Sequence, residues 1–247
     1  MGLSFFTVIE IIDLHKSFGN LKVLKGINLK IEKGKITAII GKSGEGKTVL
    51  VKHILALLKP DKGKVLIDGV DITRLKQRAL DKIRRRFGML FQESALFDSM
   101  TVEENVAFPL REHRNLKEEE IKALVKKKLD MVRLFEVEHK MPSELSGGMK
   151  KRVGLARAIA LEPEIIIYDE PTIGLDPITG SAIYELILDM QRHLNGTTII
   201  ITHDVPAIFR IVDKVGVLSG GRIIAYGTPE EIIHSENKEV QEFLEQK

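Results

Sequence analysis

Gly41-Lys42-Ser43-Gly44-Glu45-Gly46-Lys47-Thr48, followed by Val49, sets three glycines, a lysine and a hydroxyl at the spacing G-x-x-x-x-G-K-T. Glycines so placed let a loop fold until its backbone N–H groups converge on phosphate oxygens, and a helix opening near Lys47 adds the positive end of its dipole. In such a cradle Lys47 reaches the β- and γ-phosphates of a nucleotide, and the Thr48 hydroxyl binds Mg²⁺. A plain glycine-rich turn is the alternative. The flanks weigh against it: ITAII before the loop is a β-branched run, and VLVKHILALLK after it has helical spacing, the strand–loop–helix setting this pattern requires.

Two further stretches carry reactive types. EIIIYDE at 164–170 ends a β-branched run on Asp169 and Glu170, and the C-terminal ends of buried strands are where open α/β sheets bind ligands. Asp169 is suited to hold Mg²⁺ through water and Glu170 to polarise an attacking water, a role worth ~10²–10⁴ in rate. ELSGGMKK at 144–151 offers Ser146 as an N-cap, then Gly147 and Gly148, with a helix expected from Met149-Lys150-Lys151-Arg152. Free donors at a helix start beside positive charge make a second anion site; for Ser-Gly-Gly alone a capped helix would be the simpler account.

The elements that must position these groups are legible in outline. FTVIEII and VLKGINLKI are β-type runs separated by turn signals, and GKVLIDGVDI carries Asp68-Gly69 between β-branched flanks, a hairpin signal. VLVKHILALLK reads as a helix running to Pro60. From about Gln92 to Leu161 the chain turns helix-rich, with the amphipathic KEEEIKALVKKKLDMVRLF near its middle. After Pro163 strands and helices alternate again: EIIIYDE, a helix over 179–194, GTTIIIT, a helix from about Val205, and KVGVLSGGRIIAYG. That alternation predicts an α/β fold with a mostly parallel sheet and helices on both faces. Thr228, Pro229 and Glu231 sit as N-cap, N1 and N3 of a last helix.

At 247 residues, 43% apolar and 30% charged, the chain can bury a core, which excludes a disordered reading. It has no cysteine, so a disulfide scaffold and a thiolate metal site are excluded. MGLSFFTVIEIIDL lacks a basic n-region and reads as a strand rather than a signal peptide, and Phe6 stands where myristoylation needs Ser or Thr. The apolar runs are shorter than the ~18 residues of a membrane span, so the chain is not expected to cross a bilayer by itself. Net charge is only +3; Arg84-Arg85-Arg86 and Lys126-Lys127-Lys128 read as solvated helix faces, and no nucleic-acid partner is expected.

In their order these motifs resemble the ATP-binding cassette (ABC) ATPases over nearly the whole chain: the loop at 41–48, Gln92 in MLFQES, LSGGM, IIIYDEP, GLDP at 174–177 and THD at 202–204. The resemblance implies a single domain with ATP and Mg²⁺ as its ligands. Its parts are an ATP-binding core with an antiparallel β-subdomain at about 1–91 and 163–228, an inserted α-helical subdomain at about 92–162 and a C-terminal helix at 229–247. It further implies that Ser146, Gly147 and Gly148 close on the ATP held by a second copy, head to tail. Phe18 matches the aromatic that stacks on adenine, Gln92 a glutamine that contacts Mg²⁺ and water, His203 a γ-phosphate contact, and Asp176 a residue of the dimer seam. Taken singly, Phe18 would be a packing residue, His203 a surface histidine and Asp176 a turn former. Met149 departs from the usual glutamine after Leu-Ser-Gly-Gly; backbone donors survive that change.

Within the family, MLFQESALFDSMTVEENVAFPLREH, MPSELSGGMKKR and GLDPITG look most like the Mla/Mce-type lipid-transport ATPases, in which methionine at the Met149 position is common. That implies a homodimer docked on a membrane permease at the cytoplasmic face of the bacterial inner membrane, with a Mce-type substrate-binding protein and a small accessory subunit. Phe97, Met100, Phe108 and Leu110 would either grip a permease helix or form the subdomain core. The alternatives are a transporter of another substrate, an ABC ATPase acting on nucleic acid or ribosomes, and a P-loop kinase, which would leave LSGGM without a purpose.

Overall fold

The computed structural model describes residues 7–245. Phe6, on which the myristoylation reading rested, and the last two positions of the expected C-terminal helix lie outside them. The chain runs β1 (Thr7–Phe18), β2 (Leu21–Glu32), β3 (Ile36–Ile40), α1 (Lys47–Ile54), β4 (Lys62–Ile67), β5 (Val70–Asp71), α2 (Gln77–Arg84), β6 (Phe87–Leu90), α3 (Val102–His113) and α4 (Glu118–Met131). It continues through α5 (Gly147–Ala158), β7 (Ile165–Asp169), α6 (Pro177–Leu194), β8 (Thr197–Thr202), α7 (Val205–Ile208), β9 (Lys214–Ser219), β10 (Arg222–Gly227), α8 (Pro229–Ile233) and α9 (Lys238–Glu245). The described residues up to Arg84, with those from Thr197 onward, form one compact unit, and Arg85–Gly196 form another. Among the described residues no helix is long and apolar enough to cross a membrane.

The first unit holds an antiparallel sheet in the order β2-β1-β4-β5. Asp68 and Gly69 close its β4–β5 hairpin with φ of 46° and 79°, pairing Ile67 with Val70, as a two-residue turn with both central residues left-handed demands. The same unit carries the strand series β10-β9-β3-β8, in which β3 runs parallel to both β8 and β9 while β10 is antiparallel. Every residue of β3 and β8 is buried, which is why ITAII and TTIIIT do not alternate with polar residues.

Helix α1 stops at Ile54 rather than continuing towards Pro60. Ala56 turns left-handed at φ 53°, its N–H donates to the His53 carbonyl at 3.0 Å, and the Leu57 N–H donates to the Lys52 carbonyl at 2.8 Å. That is a Schellman cap with alanine where glycine is usual. Arg84 reinforces it by donating to the carbonyls of Leu55 at 3.2 Å and Ala56 at 2.7 Å, so this arginine is a capping group rather than part of a solvated face. The C-terminal segment forms two helices in place of one. Asn237 starts α9, its side-chain oxygen accepting from the Glu239 N–H at 2.9 Å, while Gln241 donates to the carbonyls of Ile233 and Ser235 at the end of α8. Thr228 and Glu231 do form the expected capping box.

In the second unit β6 and β7 pair in parallel, and α3, α4 and α5 bury Val102, Val106, Leu110, Ile121, Val125, Leu129, Val153 and Leu155. Each such side chain contributes roughly 1.5–3 kcal/mol relative to exposure. Gly88 is required where β6 meets the end of α5, since a Cβ there would lie 2.3 Å from the Ala158 carbonyl oxygen. Asn105 is fully buried and holds the preceding turn, accepting from the Phe97 N–H and donating to the carbonyls of Phe97, Met100 and Thr101. Lys128 corrects the solvated-face expectation: it is 1% exposed, with its ammonium 2.9 Å from Glu162. A buried charge needs such a partner.

Candidate functional site

In the first unit β3 ends at Ile40 beside Thr202 of β8, so the loop that starts at Gly41 and the residue His203 leave adjacent strand ends. Gly41 must be glycine, because a Cβ would stand 2.3 Å from the Leu218 carbonyl oxygen of β9. Gly46 has φ of 100° and would place a Cβ 2.9 Å from Val23 of β2. It is also the N-cap of α1, which has no side-chain cap and no acidic residue in its first turn. Lys47 is 8% exposed, and its ammonium donates to the carbonyls of Gly41 at 2.8 Å and Lys42 at 3.0 Å. Lys42, Ser43, Gly44 and Thr48 are exposed, Glu45 and Val49 half-buried. Amides, dipole and ammonium thus favour an anion, with no carboxylate in the first turn to compete. Phe18 closes β1, is 47% exposed and has the Lys16 ammonium 5.6 Å from its ring centroid.

In the second unit Leu90 of β6 lies beside Tyr168 of β7, so the loop carrying Gln92 and the pair Asp169-Glu170 again leave adjacent strand ends. Asp169 is 5% exposed. Glu170 is half-buried and left-handed at φ 47°, a backbone state that side-chain-bearing residues enter at a cost and that clusters at functional positions. Gln92 is exposed. Among the described residues no group of three or more His, Cys, Asp and Glu could hold a metal. A hydroxyl, an amide oxygen and a single carboxylate nevertheless suit Mg²⁺, which keeps waters and takes its remaining ligands from substrate phosphates.

Ser146 caps α5, its hydroxyl accepting from the Met149 N–H at 3.3 Å, and the helix starts at Gly147, earlier than expected. Gly148 is buried where a Cβ would lie 2.7 Å from Thr179 of α6. Asp176 caps α6 by accepting from the N–H groups of Ile178 at 3.1 Å and Thr179 at 3.0 Å and from the Thr179 hydroxyl at 2.6 Å. The Thr179 hydroxyl and amide hold its carboxyl below the usual carboxylate range. A cavity of about 360 Å³ is lined by Gln92, Glu93, Gly147, Lys150, Lys151 and Leu175, so Gly147 of LSGGM and the Gln92 loop share one recess. Lys151 itself is 5% exposed, against the expectation of open positive charge. Its type and position gave no signal of this, since a lysine near the start of a polar helix usually faces water. Of the four apolar residues between Phe97 and Leu110 considered for a partner, Leu110 belongs to the core, whereas Phe97 and Phe108 are 42% and 36% exposed. Their ring centroids are 5.0 Å apart, on a groove of about 460 Å³ that Met89, Phe91 and Leu161 also line.

A strand, a glycine loop with a buried lysine and a helix, together with an Asp-Glu pair at a strand end, define a P-loop nucleoside triphosphatase. Residues 24–173 match the family model described as ABC transporter. The chain belongs to that family and is an ATP-binding, ATP-hydrolysing cassette. It is 45% identical over 237 residues to the intermembrane phospholipid transport system ATP-binding protein MlaF of Haemophilus influenzae, covering 96% of this chain and 90% of that protein. To MlaF of Escherichia coli it is 40% identical over 245 residues, 99% of this chain and 91% of the relative. To mkl of Mycobacterium leprae, named as a probable ribonucleotide transport ATP-binding protein, it is 42% identical over 236 residues, 96% of this chain and 68% of the relative. Among solved structures, cbiO1 from Clostridium perfringens, part of the transporter complex cbiONQ, superposes with a TM-score of 0.85 at 34% identity, covering 94% and 92% of the two chains. The dimeric cassette MJ0796 bound to ADP and Pi gives 0.82 at 32%, covering 90% and 98%.

Proposed function

We propose that this chain powers phospholipid movement through a membrane permease, as a peripheral homodimer on the cytoplasmic face of a bacterial inner membrane. The observation that carries this is near-full-length similarity to two proteins named for intermembrane phospholipid transport, and Met149 of LSGGM supports it. The loop amides of 41–46 and Lys47 bind the β- and γ-phosphates, with Val49 in the first turn behind them and Phe18 stacked on adenine. Thr48, Gln92 and Asp169 would hold Mg²⁺, which would supply neutralising charge for the transferred phosphoryl group. Glu170 polarises the attacking water, and His203 touches the γ-phosphate. Ser146, Gly147, Gly148 and Asp176 complete the ATP site of a second copy, head to tail. Phosphoryl transfer is mostly positioning and charge stabilisation, so hydrolysis waits on assembly.

The open groove beside Phe97 and Phe108 suits an apolar permease helix, because solvated aromatic pairs of this kind are sites of association. A Mce-type substrate-binding protein and a small accessory subunit would complete the machine. The mkl relatives favour a second reading, in which the same cassette serves ribonucleotide transport. Purifying the complex from its native membrane separates the two: copurified phospholipid, with ATPase stimulated by phospholipid vesicles, is expected. A lipid-free complex stimulated only by ribonucleotides would establish the second reading instead.

A further inference from the structure

Helix α5 does more than present its capped end: one of its stripes holds the loop after β6 by its main chain. Lys151 donates from its buried ammonium to the Gln92 carbonyl and, at 3.3 Å, to the Glu170 carbonyl. Two turns on, Arg157 donates to the carbonyls of Ser94 at 2.7 Å and Ala95 at 2.8 Å. Between them Gly154 lets the loop lie close, for a Cβ there would stand 2.7 Å from Leu90 and 3.2 Å from Ser94. Residues at i, i+3 and i+6 follow one oblique ridge of a helix. The loop they hold is in a conformation it would not keep unaided: Ser94 and Ala95 are both left-handed, at φ 60° and 47°, and neither is glycine.

We infer that Lys151 is a positioning residue for ATP hydrolysis: its ammonium ties the main chain at Gln92 to the main chain at Glu170, fixing the two groups in one register. This rests on the roles given above to Gln92 and Glu170. Both acceptors are carbonyls, so the tie sets where the side chains of Gln92 and Glu170 start without occupying either of them. Burial lowers the basicity of the Lys151 ammonium, while the carboxylates of Asp169, Glu93 and Glu170 oppose that. Without the ammonium the Gln92 carbonyl loses this partner, whereas the Glu170 carbonyl keeps the Ile173 N–H at 3.3 Å, so the loop at Gln92 is released from Glu170.

The test uses the full chain carrying Lys151→Met, which keeps the bulk of the side chain, and Lys151→Arg, which keeps the donors. Without nucleotide, hydrogen exchange of the 91–95 amides should quicken several-fold in Lys151→Met while the rest of α5 is unchanged, since local opening is read amide by amide. In the ATPase assay kcat should fall on the order of tenfold to a hundredfold, KM for ATP should move less than about twofold, and Lys151→Arg should restore most of the rate. Wild-type exchange and turnover in Lys151→Met would overturn the inference. So would local loosening with an unchanged kcat, or a general loss of protection that arginine does not rescue, which marks packing alone. Glu170→Gln separates this from the parent reading: if that variant turned over normally, Glu170's role would fail, while the nucleotide-free exchange would still judge the tie.

Discussion

Helices α1 and α3 begin in opposite ways. Thr101 and Glu104 close α3 with a reciprocal capping box, whereas α1 begins on a left-handed glycine with no side-chain cap and no acid in its first turn. Helix α8 is built like α3; α5 stands between, capped by the Ser146 hydroxyl but with no carboxylate in its first turn. Carboxylates near a helix start are worth about 0.3–1 kcal/mol. Carboxylates thus stabilise the starts of α3 and α8 and are absent from α1 and α5, the two starts proposed to receive an anion; α2, α6 and α7 lack them as well, so their absence leaves room for an anion without by itself marking one.

The sharpest test of that contrast removes the chemistry and leaves both ends intact. Glu170→Gln should keep ATP bound while steady-state phosphate release falls by ~10²–10⁴; nucleotide binding and turnover measured on one preparation would show this, and unimpaired turnover would reject the role. Next, if α1 and α5 serve one ATP from different copies, chains carrying Lys47→Ala and chains carrying Ser146→Arg should each be inactive. Their mixture should recover one intact site per heterodimer, and a mixture as inactive as its parents would count against sharing.

The contrast can also be broken on purpose. Met149 is the third residue of α5 and its N–H already binds Ser146, so Met149→Glu supplies the missing half of a capping box. The variant should gain roughly 0.3–1 kcal/mol of stability and lose ATPase activity through repulsion of the incoming phosphates. A thermal melt and a rate measurement check the two signs together. If both rose, α5 would be an ordinary helix start.

How far the sequence speaks follows from the range of each interaction. Gly41 to Thr48, the Asp68-Gly69 hairpin and the Thr228 capping box are settled by residues within a few positions of one another, and their types announce them. Lys128 and Lys151 are decided by partners such as Glu162, Gln92 and Glu170, 19 or more positions away, and lysine on a charged helix gives no hint of burial. The early end of α1 was hidden for a related reason. Alanine at a left-handed position is disfavoured locally, and it is held there by capping bonds that include those from Arg84. Pairing of strand ends, which gathers Gln92 with Asp169 and Gly41 with His203, emerges only from the sheet register.

The smallest expected effect compares buried bases on helices α1 and α5. Lys151 lies in the second turn of α5; α1 buries, besides Lys47, the base His53, 2% exposed in the last turn, with Nδ1 2.7 Å from the Val49 carbonyl. Burial pushes the His53 imidazole below its usual value; the Val49 carbonyl opposes that, the Lys16 ammonium adds to it, and Asp61 opposes it. The folded chain therefore holds this histidine neutral while the unfolded chain protonates it near pH 6.5. Proton uptake by the unfolded state makes stability fall as pH drops through that value, and the contribution is fully present above it. Carboxylates held low, such as Asp61 and Asp176, lose their contributions only in a more acidic window. Melting temperature followed from pH 7.5 to 5.5 should thus decline less in His53→Gln than in the wild type; identical slopes would mean that the imidazole takes up its proton without opening the turn. Glutamine retains a donor for the Val49 carbonyl, so any change in slope reports the lost titration and not a lost hydrogen bond.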